Sequence, residues 1–370
     1  MPFSGCASPQ GTEKYRNRFH EVAAKDYFRE AQTLQLSSIG IGTYLGDADE
    51  ETDQRYREAI VRAVALGTNV IDSAANYRFQ RSERSVGAAI GDLQQSGFGR
   101  DELVICTKGG YLPFDGAPPR DVRGYIEENF IETGIATWGD IAGGSHCMTP
   151  AYLENQLQQS LRNLNLDCLD VYYLHNPESQ LAAVSPEEFS RRLRAAFEFF
   201  ERAVSDNRIK SYGVATWNGF RVEPDSQGYH SLEAMVDLAR EIAGDAHHFR
   251  FIQLPVNLAM PEALFFQNQK LGDQYVSVVE AAQSFGITAI ASGSLLQGQA
   301  ARGLPEAIRD ALGSLATDAQ TGIQFVRSAP GVTTALVGMS NVAHVEENLA
   351  LVKTPSASAD DLLKVFDQEE

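Results

Sequence analysis

Short apolar runs rich in β-branched and aromatic residues alternate along the chain with longer segments whose apolar positions recur every three or four residues. A continuous apolar run suits a strand buried on both faces, and the longer period suits a helix with one buried stripe. The runs predict strands at Ser37–Ile41, Asn69–Asp72, Leu103–Lys108, Leu169–Leu174, Lys210–Val214, Phe251–Pro255, Thr288–Ala291 and Thr333–Val337. The periodic segments predict helices at Asp53–Ala65, Ser82–Leu93, Thr149–Leu164, Pro186–Val204, Ser231–Ala243, Asp273–Phe285, Asp318–Ser328 and Val342–Leu351. Eight βα units in succession point to an α/β protein, a (β/α)8 TIM barrel formed as a single domain over residues 35–370.

Two stretches fall outside that rhythm. Residues 1–34 are polar and mixed, with Phe19, Tyr27 and Phe28 as anchors, and read as an N-terminal extension on the outside or bottom of the barrel. Residues 109–148 form a long insertion after strand 3, placed by its exit point beside the active-site mouth. Within it Val122, Tyr125, Ile126 and Phe130 share one face of a helix that Gly134 would stop. Tyr111, Phe114 and Trp138 would add aromatic walls, so a substrate lid, a rim support and a subunit contact are all open roles.

Composition narrows the classes. The 370 residues carry a formal net charge of -18 without a basic stripe, which argues against nucleic acid as a partner. The acidic stretches at 47–51 and 367–370 read as solvated surface. No apolar run is long enough for a spanning helix, and the N-terminus lacks a basic region followed by an apolar one. Cys6, Cys106, Cys147 and Cys168 are scattered without disulfide-framework spacing; Cys106 and Cys168 read as core thiols. These features together predict a cytoplasmic monomer or small homo-oligomer with no membrane partner. No metal site is expected, since His146 lacks partners at ligand spacing and His247-His248 cannot face one way.

Four side chains carry the chemistry. Asp72, Lys108 and His175 each end or immediately follow a strand run, and Tyr77 lies just past one in Ile71-Asp72-Ser73-Ala74-Ala75-Asn76-Tyr77. Strand C-termini of a barrel converge on one mouth, so an acid, a phenol, an amine and an imidazole would meet there as a proton-transfer site. A buried Asp–Lys pair can be purely structural, and so can a histidine at a strand end. The four together point to catalysis. An ammonium beside a phenol stabilises the phenolate, so Lys108 is expected to lower the pKa of Tyr77. The Gly40-Ile41-Gly42 pattern lacks the spacing of a Rossmann fingerprint.

This constellation resembles the aldo-keto reductase family. Matching segments follow in the family's order: Ile39-Gly40-Ile41-Gly42-Thr43-Tyr44, Gly213-Val214-Ala215-Thr216-Trp217, Phe251-Ile252-Gln253-Leu254-Pro255, Ser292-Gly293-Ser294-Leu295, and Gly338-Met339-Ser340-Asn341 leading to Glu346-Glu347-Asn348. The resemblance implies an NAD(P)-dependent oxidoreductase acting on an aldehyde, ketone or sugar, with Tyr77 as general acid and Asp72, Lys108 and His175 supporting it. It further implies NADP(H) or NAD(H) held by Gly42, Thr43, Tyr44, Thr216, Gln253, Ser292, Gly293, Ser294, Leu295, Gly298, Gly338, Ser340, His344, Glu347 and Asn348. A nicotinamide-binding regulatory module with little turnover is the alternative the fold allows. Three departures stand out: Ala215-Thr216 replaces a common Ser-Asn, Ser292 a common aromatic, and His344 a common basic residue.

Overall fold

The structure, a computed structural model, describes residues 2–366, so the acidic stretch at 367–370 lies outside the described residues. Parallel strands close into a ring in chain order: β1 (Ile39–Gly42), β2 (Val70–Asp72), β3 (Val104–Gly109), β4 (Leu169–His175), β5 (Ile209–Ala215), β6 (Phe249–Pro255), β7 (Thr288–Ser292) and β8 (Val332–Gly338). β8 pairs with β1 through Leu336 opposite Gly40, which shuts the barrel. The matching helices are α1 (Glu50–Ala65), α2 (Arg81–Gln95), α3 (Pro150–Leu164), α4 (Pro186–Ser205), α5 (Leu232–Ala243), α6 (Val278–Ser284), α7 (Asp318–Ser328) and α8 (Val342–Leu349). This is the (β/α)8 TIM barrel the hydrophobic pattern predicts.

The strands are buried on both faces because helices cover one side and the filled barrel interior the other. All seven residues of β4 are buried, and the interior holds Val70, Val104, Val171, Tyr173, Phe251, Ile290 and Leu336. α4 turns Phe189, Leu193, Ala196, Phe197, Phe200 and Ala203 inward at helical spacing, and Ser185 caps it by accepting from the Glu188 N–H. At the N-terminal end of the strands a hairpin, Phe28–Ala31 with Leu34–Ser37, plugs the barrel by placing Leu34 and Leu36 against that interior cluster. The segment before it forms a helix at Pro9–Asn17 whose Tyr15 is buried and donates to the Val64 carbonyl.

Three expectations need correction. The helix expected over Asp273–Phe285 begins only at Val278, because a small hairpin, Gln269–Leu271 with Gln274–Val276, takes up the preceding residues. Gly272 makes its turn at φ +61°, and a Ser277–Glu280 capping box starts α6. The insertion's helix is α-helical only over Val122–Ile126 and then widens into a π turn at Glu127–Ile131. Ile126 and Phe130 pack into a small core with Leu112, Ala136, Cys147 and Tyr152, whereas Val122, the first residue of the helix, is exposed.

The third correction is chemical. Cys6 and Cys168 are joined by a disulfide, leaving Cys106 and Cys147 as buried free thiols among the described residues. The N-terminal segment runs alongside the entry to β4, where Gly5 N donates to Asp167 and Ala7 N to Asp170, and this brings the two sulfurs together. Cys168 is therefore not the free core thiol expected of it. Closing a loop of sequence separation 162 restricts the unfolded chain strongly. Reduction is expected to destabilise the fold by about 2–4 kcal/mol. Denaturant titration with and without reductant, beside Cys6→Ser, reads this; identical midpoints would show that the bond contributes nothing. No described helix is long and apolar enough to cross a membrane.

Candidate functional site

Register places the site before any side chain is considered. Asp72 ends β2, Lys108 is the penultimate residue of β3, and His175 ends β4, so all three stand at the same rim. His175 lies opposite Ala215, which lies opposite Gln253, so these share one row of the barrel.

Lys108 and Asp72 form a fully buried pair, Nζ to Oδ1 2.5 Å, and Lys108 also donates to the Ser73 carbonyl at 2.8 Å. The second Asp72 oxygen accepts from Gln253 Nε2 at 2.9 Å. With donors on both oxygens the geometry is that of a carboxylate facing an ammonium. Burial pulls Lys108 downward, but Asp72 and Tyr77 outweigh it and hold the amine above its ordinary value, so it stays charged. Burial pushes Asp72 up against the pull of Lys108 and Gln253. Gln253, expected as a cofactor contact, is thus also a support for Asp72.

Tyr77 sits over this pair. The Lys108 ammonium is 4.9 Å from the centre of its ring, Tyr44 meets the ring edge-on at 4.9 Å, and the His175 ring lies at 5.9 Å. Burial raises the phenol pKa above its usual value while Lys108 pulls it down, and the net direction is upward. This corrects the expectation of a lowered value: here the lysine limits a rise caused by burial. Directly after Tyr77, Arg78, Phe79 and Gln80 all adopt left-handed backbone, with φ of 47°, 57° and 70°. Such conformations cost about 1–2 kcal/mol each for residues with a Cβ. Neighbours hold the turn: Arg78 bonds Asp53 at 2.5 Å, the Phe79 carbonyl accepts from Gly116 N, and Gln80 Nε2 donates to the Phe114 carbonyl. The sequence gives no glycine to signal this turn, although it sets where Tyr77 stands.

His175 is buried, and its imidazole pKa lies well below the ordinary value through burial, then the Lys108 cation and His146. It is a neutral ring at neutral pH, able to donate one hydrogen bond without carrying charge. Tyr111 from the insertion meets it edge-on at 5.1 Å, and the Tyr111 hydroxyl accepts from Asn176 Nδ2 at 3.2 Å. Behind it His146 bonds the His175 carbonyl at 2.7 Å. Of the aromatic walls expected from the insertion, Tyr111 reaches His175, Phe114 stacks on Phe79, and Trp138 is exposed beneath Arg123.

The remaining candidates line the other half of the rim. Gly42 pairs with Gly338 at the ends of β1 and β8, and Ser292 ends β7. Thr43 is fully buried, its hydroxyl given to the Asp72 carbonyl and Ser73, whereas Tyr44 is exposed. Gly293 and Gly298 take left-handed backbone in the loop that carries Ser294 and Leu295. Ser294 Oγ and Asn348 Oδ1 are buried without a hydrogen-bond partner among the described residues. Such orphaned atoms in the segments that the resemblance assigns to a cofactor fit a polar ligand there. Asn341 caps α8 by accepting from His344 N, Ser340 precedes it, His344 is exposed, and Glu347 accepts from Thr317.

Glu178 is a residue that the sequence analysis does not single out. Its Oε1 accepts from the Thr216 hydroxyl and from Trp217 N and Asn218 N at 2.7, 2.9 and 3.1 Å. Although burial opposes it, His230 and these donors bring its carboxyl down to about 2. The Thr216 hydroxyl is therefore committed to Glu178.

The sequence model of the Aldo/keto reductase family matches residues 38–223, the stretch that carries all four rim residues. The chain belongs to the aldo/keto reductase family. A putative voltage-gated potassium channel subunit beta of Schizosaccharomyces pombe is 23% identical over 351 residues, 90% of each chain. The aldo-keto reductase yakc [NADP(+)] of the same organism is 28% identical over 142 residues, 38% of this chain but only 33% of that protein. The crystal structure of an aldo/keto reductase from Klebsiella pneumoniae in complex with NADP and acetate superposes with a TM-score of 0.60 at 20% identity, covering 93% of this chain and 95% of that one. At that identity the superposition speaks for the fold.

Proposed function

We propose that this aldo/keto reductase family member is an oxidoreductase that moves a hydride between NADP(H) or NAD(H) and a small aldehyde, ketone or sugar. The observation that carries this reading is the convergence of Asp72, Lys108, Tyr77 and His175 at one rim. The names of yakc and of the Klebsiella complex, both with NADP, support the cofactor class. Bound nicotinamide supplies or accepts the hydride. The Ser292–Leu295 loop, Gly298, and the Gly338–Asn348 segment would hold its phosphates and adenosine, and Gly42, Tyr44 and Gln253 its nicotinamide end, whereas the hydroxyl of Thr216 is already taken by Glu178.

The chain's own residues handle the proton. The neutral His175 ring donates to the substrate oxygen and orients it. Tyr77 gives its phenolic proton to that oxygen in reduction and takes it back in oxidation. Lys108 stabilises the phenolate so formed, and Asp72 keeps Lys108 charged and in place. A panel of carbonyls and sugars assayed with both nicotinamide forms tests the reading; no turnover with any of them removes it.

Cofactor preference turns on His344. An exposed imidazole lacks the planar, bidentate fork with which a guanidinium grips a 2′-phosphate. His344→Arg is expected to tighten NADPH binding by about 1.5–3 kcal/mol, the value of a hydrogen bond to a charged group, without changing NADH binding. Titration with both cofactors decides it. A large wild-type preference for NADPH would place phosphate recognition on other groups.

A second reading rests on the channel-subunit relative, which matches nine-tenths of the chain. On that reading the protein binds nicotinamide and signals through it with little turnover. The assembled rim residues favour catalysis.

A further inference from the structure

The insertion contributes a buried chain of hydrogen bonds that the reaction itself does not use. Arg192 NH1, on α4, lies 2.7 Å from Gln180 Oε1. Gln180 Nε2 lies 2.8 Å from His146 Nδ1 and 3.0 Å from the His146 carbonyl. His146 Nε2 lies 2.7 Å from the carbonyl oxygen of His175. His146 and Gln180 are wholly buried, and Arg192 nearly so.

The direction of every bond follows from one end. A guanidinium can only donate, so Gln180 must present its oxygen to Arg192 and its NH2 to His146. His146 Nδ1 then accepts, which leaves the proton on Nε2, and Nε2 donates to the His175 carbonyl. Burial holds the His146 pKa down to about 4, so the ring keeps this neutral tautomer at neutral pH.

The surroundings leave the ring one position. Tyr111 packs edge-on against both His146 and His175, at 5.2 and 5.1 Å. Gly110 has φ +148°, and a Cβ there would come within 2.8 Å of both His146 Nε2 and the His175 carbonyl. Beyond His175 the chain turns sharply through Asn176 at φ 44°. The carbonyl that His146 grips is therefore the last fixed point of β4 before the turn. Arg192 also donates to the carbonyls of Gly139 and Asp140, which ties the far side of the insertion to the same chain.

We propose that His146 is a positioning residue for His175, with its tautomer set by the Arg192–Gln180 chain, and that through it the insertion aims the His175 ring at the substrate oxygen. This rests on the catalytic reading of His175 given above. A shift of about 1 Å in a group that orients substrate can cost ~10²-fold in rate.

The test pairs His146→Phe, which keeps a flat ring and deletes the donor, with His146→Gln, whose amide can donate to the same carbonyl. His146→Phe is expected to lower kcat by about 10–100-fold with nicotinamide Kd unchanged, and His146→Gln to recover most of it. Equal kcat in wild type and in folded His146→Phe would overturn the proposal, as would equal losses in both variants tracking a fall in Tm. His175→Ala separates the two levels: wild-type kcat in that variant would remove His175 from the reaction itself. A readout independent of turnover is the 15N spectrum of histidine-labelled protein. The proposal requires a proton on His146 Nε2 and none on Nδ1, and a displaced His175 ring signal in Gln180→Leu. The opposite tautomer, or an unmoved His175 signal, would refute it.

Discussion

Tyr77→Phe is expected to lower turnover by about 10²–10⁴-fold, the usual contribution of general acid–base catalysis, while nicotinamide affinity stays near wild type. The ring remains, so the edge contact with Tyr44 and the packing against His175 persist. What disappears is the phenolic proton. The raised phenol pKa sharpens the expectation: Tyr77 is protonated throughout the neutral range, as the proposed proton donor in reduction must be. Steady-state kinetics on a turned-over carbonyl, with cofactor binding followed by fluorescence, measure both quantities. Near-native turnover in the variant would take Tyr77 out of the mechanism.

Lys108→Met is expected to be as severe and to change the pH profile as well. The sign follows from the forces on the phenol. Burial raises its pKa and the Lys108 cation opposes that rise, so losing the cation moves the pKa further up. Alcohol oxidation needs the phenolate, so its rising limb should shift to higher pH, while carbonyl reduction loses its stabilised phenolate product and slows. The substitution also strands Asp72 beside Gln253 alone. Breaking a buried pair from one side costs about 3–5 kcal/mol, so Tm must be recorded beside the rates. Superimposable pH profiles for the variant and wild type would show that this pair does not tune the phenol.

The barrel is legible in the sequence because a strand buried on both faces tolerates almost no polar residue. Leu169 to Leu174 shows that rule with one exception, Asp170, which is paired with Arg100. The rim residues are legible for a related reason: Asp72, Lys108 and His175 interrupt or end such runs, and although each alone could be structural, their recurrence at three successive strand ends marks one rim. What stays hidden depends on partners distant in sequence. The Cys6–Cys168 bond joins a terminal segment to β4 across 162 positions, and no local spacing announces it. His146 reads as unremarkable because its meaning lies in Gln180, 34 residues away. Gln253 reads as a ligand contact, yet its amide also serves Asp72, a bond that only closure of the barrel creates. The left-handed run at Arg78–Gln80 lacks glycine, since Asp53, Phe114 and Gly116 supply from outside what glycine would supply locally. The hairpin at Gln269–Val276 has a turn signal in Gly272-Asp273 between its strands, but the helical period from Asp273 onward masks its second strand.

In the proposed reaction the rim passes a proton to a substrate oxygen while nicotinamide passes a hydride to its carbon. Deuterium-labelled reduced nicotinamide, incubated with the protein and a panel of aldehydes, ketones and sugars, tests both halves when the products are read by mass spectrometry. Deuterium is expected on the carbinol carbon of at least one product with wild-type protein, and to be nearly absent with Tyr77→Phe. Tight nicotinamide binding with no deuterium transferred to any carbonyl would contradict it and leave the regulatory reading in its place.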